Sequence, residues 1–320
     1  MASVFVPEWE SRIGRRLRLR DLHILYSVVQ WGSMAKAAAH LRMSQPSVSE
    51  AIAKLEGVVG VRLLDRSPRG IEPTIYANAL LKRGAVVFDE LRQGIRGIEF
   101  LADPAVGEVR IGCSESLMVG FLPAAIERLS RRYPQVVVHV ADVQPTATEY
   151  RQLRDRDVDL MLGRIFKPLE HDEIDAEVLF EDRYLIVAGA GSAWARRRKV
   201  RLAELVNEPW IHIPTTNVFG SVLAEAFHAR GLDVPRKSVN TFSHHLRNEL
   251  LATGRFLTIV PASVLRANAE RWDLKALPID LVIPRHSVAV FTLKKRTLSP
   301  VVKMFIDVVR EVAKSFAKSR

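Results

Sequence analysis

The chain is poor in cysteine, with Cys113 alone among 320 residues. A single thiol excludes an internal disulfide and argues against a cysteine-built zinc cluster. Nine histidines are scattered without a His-x-x-x-His pair, so neither a metal nor another cofactor is expected. No apolar run approaches the roughly 18–20 residues of a membrane span. Met1 to Gly14 carries Glu8 and Glu10 and no apolar core, unlike a secretory leader, which points to the cytoplasm. There is no Gly-x-Ser-x-Gly elbow and no glycine-rich phosphate loop. Ser243 beside His244-His245 is the one arrangement worth naming for catalysis, and neighbours in sequence do not make a triad, so an enzyme is not expected. Acidic residues are also short, 36 against 47 Lys and Arg, a net charge of +11. That balance suits a polyanionic partner. The excess is spread thinly, because residues 1–75 hold eleven basic against seven acidic side chains, only +4 of the +11.

What is present is organised around Gly32 to Glu56. Ala35 to Leu41 reads as a short alanine-rich helix, with Ala35, Ala38 and Leu41 on one side, and Arg42-Met43-Ser44 breaks it. Ser44 can cap a second helix and Pro46 fits its first turn, where backbone N–H groups lack partners. Val48, Ile52, Leu55 and Val59 then make one apolar stripe, leaving Gln45, Ser47, Ser49, Glu50 and Lys54 on the other face. A helix through Leu19, Leu22, Leu25 and Val29 is spaced to pack behind the pair, and Gly60 to Thr74 reads as a Pro/Gly-punctuated hairpin bearing Arg62, Arg66 and Arg69. The pattern is that of a winged helix-turn-helix whose second helix enters the major groove. By itself the helical pair would also suit an ordinary all-helical core.

From Leu19 to Leu81 the chain resembles the winged helix-turn-helix domain of LysR-type transcriptional regulators. The matching residues are Arg20-Asp21-Leu22, Gly32-Ser33, Ala37-Ala38, Leu41, Ser44 to Ser49, Ile52, Leu55-Glu56, Gly60, Leu63, Arg66 and Pro73-Thr74. Leu64, Ala77 and Glu50 depart from it, standing where Phe, Gly and Arg are usual. The resemblance implies a fold in three parts: the N-terminal winged domain, a long linker helix that dimerises two DNA-binding heads, and a two-lobed, periplasmic-binding-protein-like α/β effector domain. It also implies tetramers and RNA polymerase as a further partner.

The rest of the sequence fits that plan. Residues 1–16 read as a flexible tail and residues 17–75 as the winged domain. Ala77, Leu81, Gly84, Phe88, Leu91, Ile95 and Ile98 alternate spacings of four and three along a helix over residues 76–102, a coiled-coil seam. Asp103-Pro104 to Gly107 breaks the pattern, and beyond it strands alternate with helices, implying doubly wound α/β structure over 107–320. One lobe should take about 107–184 and 285–320, the other about 185–284. Similarity here rests on Arg110-Ile111-Gly112, Leu122-Pro123, Tyr133-Pro134, Asp159-Leu160, Gly254 and Val260-Pro261, with Phe256 where a second glycine is expected. The segments Phe100 to Gly112 and Gly254 to Thr258 resemble the galactose-binding-protein regulators, which implies a sugar or sugar acid as effector.

Open α/β sheets bind ligands beyond the C-terminal strand ends. Those ends supply Ser114 and Ser116, Thr146, Arg164, Pro214, Thr215 and Thr216, and His244, with Phe219 able to cover an apolar face. The set suits a polar or anionic small molecule, and each Ser or Thr could equally be a helix cap. Arg164 could bind a carboxylate or form a salt bridge within the domain. For DNA, the resemblance carries over Gln45, Pro46, Ser49 and Glu50 to the major groove and Ser33 to a phosphate, with Ser44, Ser47 and Lys54 beside them and Arg66 and Arg69 on the wing. The reading is a sequence-specific regulator that answers to a small effector, acting as a dimer or tetramer. Its rival is a cytoplasmic small-molecule-binding protein that associates with DNA nonspecifically.

Overall fold

The computed structural model describes residues 16–67, 70–103, 106–143, 150–166, 168–169, 171–214 and 219–317. Most of the expected N-terminal tail lies outside them. The chain divides into two compact units, one up to Arg92 and one from Gln93. No helix among the described residues is long and apolar enough to cross a membrane.

The first unit holds α1 (Leu19–Trp31), α2 (Met34–Leu41), α3 (Gln45–Val59), the hairpin β1 (Leu64–Ser67) and β2 (Gly70–Pro73), and the start of α4 (Ile75–Ala102). Its core joins Leu22, Leu25 and Val28 of α1, Ala37 and Ala38 of α2, and Val48, Ile52 and Leu55 of α3. The inner faces of α1 and α2 are turned from the expected ones: Leu19 is 44% exposed and Ala35 is exposed, while Val28, Met34 and Ala37 are buried. Glu56 holds the wing to the end of α3 by accepting hydrogen bonds from the N–H groups of Leu63 (2.7 Å) and Leu64 (3.3 Å). Gly70, at φ 129°, sits against the end of α1, where a Cβ would meet the Gly32 carbonyl at 3.3 Å. That carbonyl accepts the Ile71 N–H at 3.1 Å, so a backbone bond also pins the wing to the end of α1.

The expected seam on α4 divides in two. Ala77 is buried in the winged core, Leu81 and Phe88 pack on it, and Gly84 leaves room for Leu22. Leu91, Ile95, Ile98 and Leu101 are exposed. Heptad spacing is the same whether the surface that buries it belongs to this chain or to another, so the pattern could not separate the halves.

The second unit contains two five-stranded sheets. One has the order β4-β3-β5-β12-β6, from β3 (Val106–Cys113), β4 (Gln135–Asp142), β5 (Leu160–Ile165), β6 (Ile174–Asp182) and β12 (His286–Leu293). Around it lie α5 (Glu115–Gly120), α6 (Leu122–Arg132), α7 (Arg151–Arg154) and α11 (Pro300–Ala317). The other has the order β11-β7-β10-β8-β9, from β7 (Tyr184–Gly189), β8 (Trp210–His212), β9 (Lys237–Asn240), β10 (Leu257–Pro261) and β11 (Leu274–Ala276). Its helices are α8 (Phe219–His228), α9 (His244–Ala252) and α10 (Ala262–Asn268). The chain crosses between the sheets at Arg183 and again between β11 and β12. Parallel pairing joins β3 to β4 and β5, and β8 to β9 and β10. The strands next to the crossings run antiparallel to their neighbours, β12 to β5 and β6, and β10 to β7. The sheets are therefore mixed, because a strand that returns from the other lobe enters from the opposite end.

Beneath the first sheet lies a buried carboxylate. Asp159 Oδ1 accepts from Arg110 Nη2 (2.8 Å) and Arg296 Nη2 (2.9 Å), and Oδ2 from Arg96 Nη1 (3.1 Å) and the Arg110 N–H (2.9 Å). Arg96 belongs to α4, so this group ties the last turns of that helix to the sheet. Burial alone would raise the Asp159 carboxyl; the bonds and charge of Arg110, with Arg96, overcome that and hold it low.

Candidate functional site

Two sites emerge, one in each unit. In the winged unit the capping residues fold α3 locally. Ser44 Oγ accepts the Ser47 N–H at 3.3 Å and lies 2.8 Å from Ser47 Oγ, and Pro46 occupies the first turn. Arg42 takes the left-handed conformation (φ 54°) that turns the chain between the two helices. With Val48, Ile52 and Leu55 buried, Gln45, Pro46, Ser47, Glu50 and Lys54 are exposed along the opposite face and Ser49 is half-buried at its edge. Ser33 opens α2 with its oxygen 3.5 Å from the Lys36 N–H. Arg66 lies on β1 opposite Ile71, and Arg69 is outside the described residues. The Ser44 and Ser47 hydroxyls are already bonded to each other, which leaves Gln45, Ser49, Glu50 and Lys54 as the freer polar groups.

In the second unit the strand ends meet around Arg164. Its side chain is wholly buried at the end of β5. Nη1 donates to Ser116 Oγ (2.7 Å), and Nη2 to Asp182 Oδ2 (2.7 Å) and Ser263 Oγ (3.2 Å). Ser263 in turn donates to Asp182 from its N–H (3.1 Å) and its hydroxyl (2.6 Å). Of the two roles open to Arg164, the salt bridge is the one formed, and it fastens β5 to the crossing strand β6 and to α10. Ser114 is buried ahead of α5 without a capping bond. Thr146, Thr215 and Thr216 lie outside the described residues; Pro214 is half-buried, and Phe219 opens α8.

His244 is buried, and burial, then the charges of Arg247 and Arg164, hold its imidazole well below the usual range, so it is neutral. Its backbone N–H donates to Glu115 Oε1 at 2.8 Å, a bond from α9 of one lobe to α5 of the other. The sequence places Glu115 between Ser114 and Ser116 at the strand end without giving it a role, and Arg247 is not among the expected contacts. Arg247 is 3% exposed, on the inner face of α9 with His244 and Leu251. Its signal was an arginine at a helix position whose neighbours three and four residues away are buried. Burial, opposed by the Glu115 charge, pulls the guanidinium down to about 10. Tyr184 and His286, on the crossing strands, stack edge-on with centroids 5.7 Å apart. Burial pushes the Cys113 thiol far above its ordinary range, which fits a packed core residue. No group of His, Cys, Asp and Glu able to hold a metal occurs among the described residues.

The family model described as LysR substrate binding domain matches residues 102–314, and the one described as bacterial regulatory helix-turn-helix protein, lysR family, matches residues 19–77. The chain belongs to the LysR family of transcriptional regulators. A relative is the HTH-type transcriptional regulator GbpR of Azospirillum brasilense, 25% identical over 286 residues, covering 89% of this chain and 83% of that protein. Another is PcaQ of Agrobacterium fabrum, 26% identical over 268 residues, covering 84% and 86%. Among solved structures, CbnR, a LysR family transcriptional regulator, matches with a TM-score of 0.64 at 21% identity over 93% of this chain and 99% of that one. These likenesses give the fold of the whole regulator, winged head, linker helix and two-lobed domain. This LysR-family regulator is thus a DNA-binding transcription factor with an effector domain, and not an enzyme.

Proposed function

We propose that α3 reads its operator with Gln45, Pro46, Ser49 and Glu50 at base edges, Gln45 suiting an adenine and Glu50 a cytosine amine. Ser33, Ser44, Ser47 and Lys54 hold the backbone, and Arg66 and Arg69 extend the contact through the wing. The supporting observation is the polar face of α3, exposed opposite a fully buried stripe. Leu91, Ile95, Ile98 and Leu101 supply an apolar strip for the matching helix of a second copy, and the chain assembles further to a tetramer. The regulator works in the cytoplasm with RNA polymerase. Its effector is polar or anionic and binds between the lobes at Ser114, Ser116, Arg164 and His244, with Thr146, Pro214, Thr215, Thr216 and Phe219 as further contacts. The likeness to GbpR supports the sugar or sugar-acid class. Effector binding shifts the balance between lobe arrangements with different DNA affinity.

The test is binding of the full-length protein to the intergenic region upstream of its own gene, against a scrambled duplex at fixed salt. A preference of roughly 10³-fold or more, lost in Gln45→Ala/Ser49→Ala, supports reading by α3. Equal binding to both duplexes contradicts specific recognition of that region, and a preference that survives the double substitution contradicts the role given to α3.

A further inference from the structure

Four buried polar atoms beside the Glu115–His244 bridge have no hydrogen-bond partner among the described residues: Ser114 Oγ, Arg164 Nε, and Nε and Nη1 of Arg247. Three of them are donors on guanidinium groups. Buried N–H groups of this kind are costly to leave unmade, and cationic ones more so. The fourth, a hydroxyl, can donate as well. The same region holds the N-terminus of α9, whose His244 N–H points at a carboxylate supplied by the opposite lobe. Asp182 is taken up by Arg164 and Ser263. Glu115 spends one oxygen on His244 and is near enough to Arg247 to act on its charge, but makes no ion pair with it.

We infer that this cleft takes the carboxylate of an anionic effector between Arg247 and the N-terminus of α9, and that Glu115 holds that place when the effector is absent. The inference rests on the effector cleft proposed above and names the chemical class and the residue missing from it. A planar carboxylate accepts two parallel N–H bonds from a guanidinium, which Nε and one terminal nitrogen present together. In Arg247 Nε and Nη1 have no partner, and each belongs to one of the two forks that Nη2 completes. The helix N-terminus adds backbone N–H groups and a favourable dipole. The incoming carboxylate and Glu115 are like charges competing for one place, so binding releases Glu115 and with it the Glu115–His244 bond between the lobes. Ligand affinity is thereby coupled to lobe geometry through a single hydrogen-bonded latch. The neutral His244 ring adds no competing positive charge and leaves the carboxylate to Arg247.

Acetate is the probe, since it carries the carboxylate and little else. Melting of the full-length protein is followed as acetate replaces chloride at constant ionic strength, with D-galactose as the neutral control. Melting rises with acetate and not with galactose in the wild type. Glu115→Gln, which keeps the acceptor for the His244 N–H and gives up the charge, binds acetate roughly tenfold or more tightly than the wild type, because its internal competitor is gone. Arg247→Gln loses the response by a similar factor. Arg247→Lys, which keeps the charge without the fork, falls between them and serves should the glutamine variant not fold. A response equal in chloride and acetate, or one unchanged in Arg247→Gln, overturns the inference. An acetate response without a change in operator affinity leaves the carboxylate site standing and removes the control of DNA binding from the reading above. Operator affinity that answers to galactose alone does the reverse.

Discussion

The second unit contains two groups of buried arginines that use their N–H donors in opposite ways. Around Asp159, Arg96, Arg110 and Arg296 converge on one carboxylate, and both its oxygens are filled. Around the cleft, Arg164 and Arg247 keep buried N–H groups that meet nothing among the described residues. A buried ion cluster that is satisfied from within offsets much of its desolvation and is costly to break by removing one partner. One left partly unsatisfied is a standing cost, and a ligand removes that cost when it binds. The first arrangement fits a fixed joint between the last turns of α4, from Gln93 on, and the sheet within the second unit, the second a receptor.

Substitutions that remove one partner from each group sharpen the contrast. Asp159→Asn removes the charge that three guanidinium groups share and should lower unfolding stability by about 3–5 kcal/mol, measured by denaturant titration. A loss under about 1 kcal/mol would mean that the joint is not one. Its pH dependence has a definite sign. The folded Asp159 carboxyl lies below the unfolded value of about 3.9, so its contribution is full above that value and fades as pH falls through the lower folded one. Acid unfolding of the wild type should therefore contain a limb below about pH 4 that Asp159→Asn lacks. Arg164→Lys replaces a fork that reaches Ser116, Asp182 and Ser263 by a single point of charge, and should cost about 1–3 kcal/mol. Arg247→Met should cost least. Without ligand it removes unmatched buried donors, and stability should stay within about 1 kcal/mol of the wild type or rise. A loss as large as that of Asp159→Asn would erase the distinction between the two groups.

The two functional sites differ in the same spirit in how far the chain announces them. The α3 face is contiguous: Ser44, Pro46, Val48, Ile52 and Leu55 fix the helix start and its buried side within one short stretch, so the exposed Gln45, Glu50 and Lys54 follow from periodicity alone. The cleft is assembled from α5, β5, the crossing strands, α9 and α10, and nothing local links Glu115 to His244 across 129 positions. Strand ends could be named, and Arg164 with its two roles, but not which of those roles the fold selects. Arg247 is not legible in this way, because a polar side chain at a core position interrupts the apolar pattern that marks a buried face. β11, three residues long, is too short to show a period, and its pairing with β7 is a long-range choice. The linker helix was legible as a helix with a seam; that its first half packs on the winged core came only from the packing of Ala77 and of Gly84 on Leu22.

One spectrum can read both arginine groups together. In the full-length protein labelled at arginine, the Nε–H resonances report each guanidinium separately while acetate replaces chloride at constant ionic strength. The account predicts that the Arg247 and Arg164 signals move and saturate, while that of Arg110, whose Nε already faces Asp159 at 3.4 Å, stays where it is. Shifts of equal size at all three, or none at Arg247, would contradict it.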